Sequence, residues 1–207
     1  LSSILLIPLS FFFIIKGSFF FIFFLAVCFL LTSYEWLMMS KRKKYYLVGY
    51  IFLFFSFVSV YELRNNFSGD YFYLLLITTI CIATDIGGYI FGKTFKGPKL
   101  TKISPNKTYS GMIGGFFLSI IFANILISNQ YFIQIKIEFT KEIFFIVLSI
   151  SAVSQLGDIL ISYFKRLSKI KNTGKIIPGH GGLLDRIDGM IFAFPFFYII
   201  LSLNIFI

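Results

Sequence analysis

The sequence predicts an all-α fold, a polytopic integral membrane helical bundle of about seven transmembrane helices. Three observations predict it. Hydrophobic residues make up 57% of the 207 residues against 14% charged, where a soluble domain carries about 25% charged. Apolar runs near the length of a bilayer crossing, about 20 residues, recur between short polar loops. Of the 19 Lys and Arg residues, 15 fall in three of those loops. The mean hydropathy of +0.87 excludes a water-soluble or disordered chain. Basic loops beside spans answer anionic headgroups and phosphates, so the net charge of +10 does not point to nucleic acid.

The first helix is expected over Leu1–Ile15 and is short, and the second over Ser18–Trp36. The boundary at Lys16-Gly17 has an alternative, one long tilted helix over Leu1–Leu31 plus an interfacial piece. No small-residue cleavage site ends the first run, so it reads as a span and not a cleaved leader. The third helix is expected over Tyr45–Tyr61, the fourth over Tyr71–Phe91 and the fifth over Ser110–Ser128. The sixth covers Glu142–Phe164 and the seventh Gly189–Ile207. Together they form one membrane-embedded domain, residues 1–207. Cys28 and Cys81 lie in apolar runs without a CxxC partner and read as small core side chains.

The loops alternate in charge. Lys41–Lys44, Lys93–Lys107 and Lys165–Arg186 are basic, and the loops between carry acids. The positive-inside rule makes the basic side cytoplasmic, with the N-terminus inside and the C-terminus outside.

Only nine acids exist. Glu62, Asp70, Glu138 and Glu142 read as solvated outer surface, and Glu35 ends the second helix beside Trp36. Asp85 and Asp158 lie inside the fourth and sixth helices near their cytoplasmic ends, and Asp185 and Asp188 open the seventh from the same side. A charge inside a span costs about 2.5–3.5 kcal/mol, so such groups face a bundle interior or cavity. In the sixth helix Ser151, Ser154, Gln155, Asp158 and Ser162 make one polar stripe at helical spacing. Thr78, Cys81, Asp85, Gly88 and Gly92 trace a similar line on the fourth. Gly111 and Gly115 give the fifth helix a small face for close packing.

Carboxylates at one depth beside many cations point to a divalent metal with phosphate, as Mg²⁺ prefers oxygen ligands. His180 is the single histidine, which argues against a His-rich zinc site. Two loops carry the chemistry. Ser104-Pro105 and Lys107-Thr108 set a rigid turn beside a cation and a hydroxyl. Pro178-Gly179-His180-Gly181-Gly182 is a glycine-rich turn leading into a helix start, where backbone N–H groups suit an anion. Asp185 and Asp188, three residues apart, share a helix face, and Arg186 between them can answer a phosphate bidentately.

These motifs resemble the bacterial phosphatidate cytidylyltransferase (CDP-diacylglycerol synthase) family. The resemblance rests on Ser162-Tyr163-Phe164-Lys165-Arg166, then Pro178 to Gly182, then Asp185-Arg186-Ile187-Asp188. Gly157-Asp158, Asp85-Ile86-Gly87 and the segment from Ile103 to Thr108 fit it too. The chain departs from the family at Asn172 and Ile161, where acids are usual, and at Tyr109-Ser110, where Trp-Glu is usual.

The resemblance implies a nucleotidyltransferase of phospholipid biosynthesis: CTP and phosphatidic acid give CDP-diacylglycerol and pyrophosphate. It implies that Asp158, Asp185 and Asp188 hold one or two metal ions, mainly Mg²⁺ with a second position open to a monovalent ion. Asp85 is a further ligand or an acceptor behind the ligands. Lys165 and Arg166 join the three aspartates as catalytic groups, and Arg186 holds phosphate. Ser104, Lys107, Thr108, Ser162, His180, Gly181 and Gly182 complete the substrate contacts. The implied setting is the bacterial inner (cytoplasmic) membrane, with a cytoplasm-facing site, surrounding membrane lipids, a homodimer and no nucleic-acid partner. Two other readings stay open: a CTP-dependent lipid-alcohol kinase, separated by its product, and a proton- or cation-coupled transporter, separated by conduction without nucleotide.

Overall fold

A computed structural model describes residues 2–41, 43–65, 71–101, 103–129, 138–174 and 181–203. Among them the chain forms eight helices: α1 (Ser2–Lys16), α2 (Ser18–Ser40), α3 (Tyr46–Asn65), α4 (Phe72–Phe95), α5 (Tyr109–Ser128), α6 (Lys141–Leu167), α7 (Leu184–Ile187) and α8 (Met190–Ser202). Five of these, α2 to α6, are long and apolar enough to cross a membrane. The protein is therefore a multi-pass helical membrane bundle. The expected count of seven spans is not reached among the described residues, because α1 has 15 residues and α8 has 13.

Several helices run past the apolar segments that signalled them. The backbone ladder continues into polar residues wherever nothing interrupts it. The second helix was expected to stop at Trp36, yet α2 reaches Ser40, whose hydroxyl donates to the Trp36 carbonyl at 2.6 Å. In α4 the ladder persists to Phe95 and ends at Lys96, which takes a φ of 52°. The break between α1 and α2 falls at Gly17 (φ 64°), where the Phe13 ring stacks on Phe24 at 4.9 Å. Thr108 caps α5 by accepting the Gly111 N–H at 3.1 Å, and Thr140 caps α6 in the same way from Ile143.

The helix ends sort as the loop charges predict. The Ser168 hydroxyl donates to the Met39 carbonyl at 2.8 Å and lies 3.0 Å from Tyr45 Oη. This gathers the ends of α2 and α6 and the start of α3 at the basic end of the bundle. At the opposite end Arg64 of α3 donates to the Ile14 carbonyl of α1 at 3.1 Å. Between them the helices pack through buried aliphatic and aromatic side chains, fastened by hydroxyls. Ser56 of α3 donates to the Ile191 carbonyl of α8 at 2.6 Å, and Thr84 of α4 meets Ser151 of α6 at 2.8 Å. Such bonds between membrane helices contribute about 0.6 kcal/mol each on average. Cys81 is buried and Cys28 half-buried, both free.

The closest helix pair is α4 with α5, joined through small residues. A Cβ on Gly111 would stand 2.7 Å from the Gly88 carbonyl oxygen, and one on Gly115 3.0 Å from that of Thr84. The small face of the fifth helix is thus a packing face. At Gly87 the contact is tighter, a Cβ falling 2.3 Å from the Gly114 carbonyl oxygen. At Gly88 the nearest atom to such a Cβ is 3.8 Å away. Gly87→Ala should therefore force α4 and α5 apart and cost about 1–3 kcal/mol, whereas Gly88→Ala should be tolerated. Thermal melting of the two variants in detergent checks this, and equal melting temperatures would contradict the packing described.

Candidate active site at the basic end of the bundle

The loop from Lys96 to Thr108 positions the first cation. Leu100 N–H donates to the Lys107 carbonyl at 2.8 Å and Tyr109 N–H to the Pro98 carbonyl at 3.2 Å, flanking an antiparallel bridge between Lys99 and Thr108. The Lys107 N–H closes the turn on the Ser104 carbonyl at 3.1 Å. So fixed, Lys107 Nζ lies 2.5 Å from Asp158 Oδ2 and donates to the Gln155 carbonyl at 3.3 Å. The other Asp158 oxygen accepts the Ser162 hydroxyl at 3.4 Å, one turn along α6. The α6 polar stripe meets polar partners along its length, and two of its members reach the site: Ser151 holds α4, Gln155 on the cavity wall reaches the Met112 carbonyl of α5 at 3.5 Å, and Asp158 holds the loop.

A second ion pair lies beside the first. Lys165 Nζ donates to Asp185 Oδ1 at 2.8 Å, with the two side chains 11% and 7% exposed. Asp185 Oδ2 accepts the N–H groups of Thr173 at 2.9 Å and Gly182 at 3.0 Å. Burial raises the Asp185 pKa, but Lys165 and these two N–H groups outweigh it and hold the carboxyl below the ordinary carboxylate range. Asp188 is buried in the turn between α7 and α8. Burial, then the neighbouring carboxylates of Asp158 and Asp85, push its carboxyl well above that range.

Asp85, Lys107, Asp158, Lys165, Arg186 and Asp188 line one cavity of about 430 Å³, with Asp185, Asn172, Ser104 and Thr108 on its wall. A neighbouring cleft of about 490 Å³ shares Leu100 but is lined by Lys99, Thr101 and Pro105 and bears no carboxylate, so the chemistry belongs to the first.

The structure brings together most of the residues singled out in the sequence, with four differences. Asp185 and Asp188 do stand on nearly continuous helical backbone, but the Asp185 oxygens are taken by Lys165, Thr173 and Gly182. Arg166 does not line the cavity: it is exposed, and its guanidinium donates to the Ile170 carbonyl at 3.4 Å, ending α6. The expected anion-binding turn spends its Gly182 N–H on Asp185, and the Leu183 and Leu184 N–H groups on Glu35, each at 2.8 Å. Thr108 lends its hydroxyl to the α5 cap, and Ser162 lies behind Asp158 and off the cavity wall. Gly181 is buried next to Gly182, while Pro178, Gly179 and His180 lie outside the described residues. Glu35 lies outside the motifs singled out in the sequence. The available signal was a lone acid inside a membrane helix, one of nine in the chain.

Among the described residues no three His, Cys, Asp or Glu side chains form a metal-binding group by themselves. The neighbouring pair Asp158 and Asp188, with Asp85 close by, nonetheless fits Mg²⁺. That ion takes oxygen donors and is usually held by one or two carboxylates plus substrate phosphates, not by a complete protein cage.

Fold and site together define a class: a multi-pass membrane protein that gathers carboxylates and cations in one cavity at its helix ends, as the handling of phosphate groups requires. Within that class the chain belongs to the cytidylyltransferase family, whose model matches residues 45–204. It is similar to the phosphatidate cytidylyltransferase of Staphylococcus aureus (strain COL), 36% identical over 184 residues that cover 86% of this chain and 67% of that protein. It is also similar to the phosphatidate cytidylyltransferase of Rickettsia typhi, 35% identical over 168 residues (79% of this chain, 73% of that one). With the Bacillus subtilis (strain 168) protein of the same name it shares 38% identity over 143 residues, 69% and 52% of the two chains.

Proposed function

We infer that the chain transfers CMP from CTP to phosphatidic acid, giving CDP-diacylglycerol and pyrophosphate. The observation that carries this is the single cavity in which Asp85, Asp158 and Asp188 stand beside Lys107, Lys165 and Arg186 at the ends of membrane helices. In the reaction an oxygen of the lipid phosphate bonds to the α-phosphorus of CTP as the bond from that phosphorus to the pyrophosphate oxygen breaks. Transfers of this kind depend on positioning and charge neutralisation more than on covalent catalysis.

Lys107 and Arg186 hold the phosphates. Lys107 exchanges its contact with Asp158 for a phosphate oxygen, which frees that carboxylate. Asp158 and Asp188 would hold Mg²⁺ with Asp85 beside them, and the ion would supply charge neutralisation for the phosphate oxygens. Lys165 keeps Asp185 in place and with it α7 and the turn after it, which carry Arg186 and Asp188. The lipid approaches along α4, where exposed Ile86, Tyr89 and Ile90 flank Asp85. A cytoplasm-facing cavity in the bacterial inner membrane is the setting that the positive-inside rule supports for these basic loops.

The test is mass spectrometry of the lipid formed by the detergent-purified chain from CTP and phosphatidic acid. CDP-diacylglycerol should appear with Mg²⁺, vanish with EDTA and return when Mg²⁺ is restored. Conversion that is indifferent to EDTA would remove the metal from the proposal, and the absence of CDP-diacylglycerol would remove the reaction.

A further inference from the structure

Glu35 is a buried carboxylate, 1% exposed, on a helix that contributes nothing to the cavity wall. It lies ahead of the segment that the family model matches, residues 45–204. Its three described partners come from the loop between α6 and α7 and from the first residue of α7. Oε1 accepts the Leu183 N–H at 2.8 Å, and Oε2 accepts the Leu184 N–H at 2.8 Å and the Thr173 hydroxyl at 2.9 Å. Backbone N–H groups buried away from water need acceptors, and a carboxylate is the strongest that a side chain offers.

The loop is also shaped around this group. A Cβ on Gly182 would stand 2.4 Å from Glu35 Oε2, and one on Gly174 2.8 Å from Oε1. Only glycine leaves room for the carboxylate at these two points. Thr173 then joins Glu35 to the cavity, since its hydroxyl donates to Glu35 while its N–H donates to Asp185, the partner of Lys165.

We propose that Glu35 is a positioning residue of the transfer reaction: from α2 it clamps both strands of the loop, and so sets where Asp185, Arg186 and Asp188 stand in the cavity. The proposal rests on the cytidylyltransfer reading for its kinetic consequence and on geometry alone for the clamp.

Two measurements on the purified chain test it separately. Hydrogen exchange needs no substrate. In Glu35→Gln, which keeps the side-chain volume but replaces one acceptor oxygen with a donor, exchange at the Leu183 and Leu184 amides should rise about tenfold or more, with α3 to α5 unchanged. In the same variant kcat/KM for CTP should fall by about tenfold or more, as expected when a hydrogen bond to a charged group is lost, at an unchanged melting temperature. Thr173→Val removes one of the three bonds and should show a smaller loss. Thr32→Ala, whose hydroxyl among the described residues donates within α2 to Cys28 and Phe29, should keep activity near wild type.

Unchanged exchange at Leu183 and Leu184 would overturn the clamp. Exchange accelerated throughout the bundle would reduce Glu35 to a packing residue, and wild-type kinetics in Glu35→Gln would remove its part in the reaction. If the wild-type chain makes no CDP-diacylglycerol, the functional reading fails, while the exchange result still decides the clamp.

Discussion

Asp188→Asn lowers CDP-diacylglycerol synthesis on the order of 10²–10³-fold, the usual size of removing one preorganised electrostatic contact from a transfer site, and leaves the melting temperature unchanged or higher. The two halves of this expectation have one cause. Asp188 is 9% exposed and crowded by the carboxylates of Asp158 and Asp85. Substrate-free, that cluster works against the fold, and an amide of the same shape relieves it. In the proposed reaction the same charge would serve the Mg²⁺ that accompanies the phosphates. Sites built for function commonly carry such a cost in stability. Asp158→Asn should lose activity similarly but gain no stability, because Asp158 is already paired with Lys107 at 2.5 Å. Turnover and thermal melting on the same preparations check both variants. A destabilised, inactive Asp188→Asn would make the residue structural and contradict the assignment.

Lys165→Met should cost about 3–5 kcal/mol of stability, the range for removing one partner of a buried ion pair, and should abolish activity with it. Methionine fills the aliphatic volume of the lysine, so packing loss contributes little. The cost comes from Asp185, whose side chain is 7% exposed and would keep its two backbone donors but lose its cation. Lys165→Met/Asp185→Asn removes both charges and should recover part of the stability and none of the activity. Melting temperatures of the single and double variants decide this. A double variant no more stable than the single would show that the loss arises elsewhere.

The sequence made the membrane bundle legible because lipid leaves few alternatives. Long apolar runs between charged loops dictate spanning helices, and the alternating loop charge sorted their ends as the contacts of Ser168 and Arg64 do. The α6 stripe was legible for the same reason, since polar groups at helical spacing on an apolar helix must face something polar. What periodicity does not carry is which donor meets which acceptor. The glycine-rich turn looked open to an anion from its composition, yet its Gly182 N–H goes to Asp185, three residues on, and the next two N–H groups go to Glu35, far back in the chain. The family resemblance implied Arg166 as a catalytic group beside Lys165. On a helix, neighbours in sequence point about 100° apart, and Arg166 faces away from the cavity that Lys165 lines.

The most direct test of the central claim is the fate of the two ends of the CTP triphosphate. The purified chain is given phosphatidic acid, Mg²⁺ and CTP labelled either at the α-phosphorus or at the γ-phosphorus, and the lipid extract is counted. α-Label should appear in the lipid, with γ-label leaving as pyrophosphate in equal amount. Transfer of γ-label to the lipid, with CDP as the water-soluble product, would contradict it and make this cavity the site of a lipid kinase.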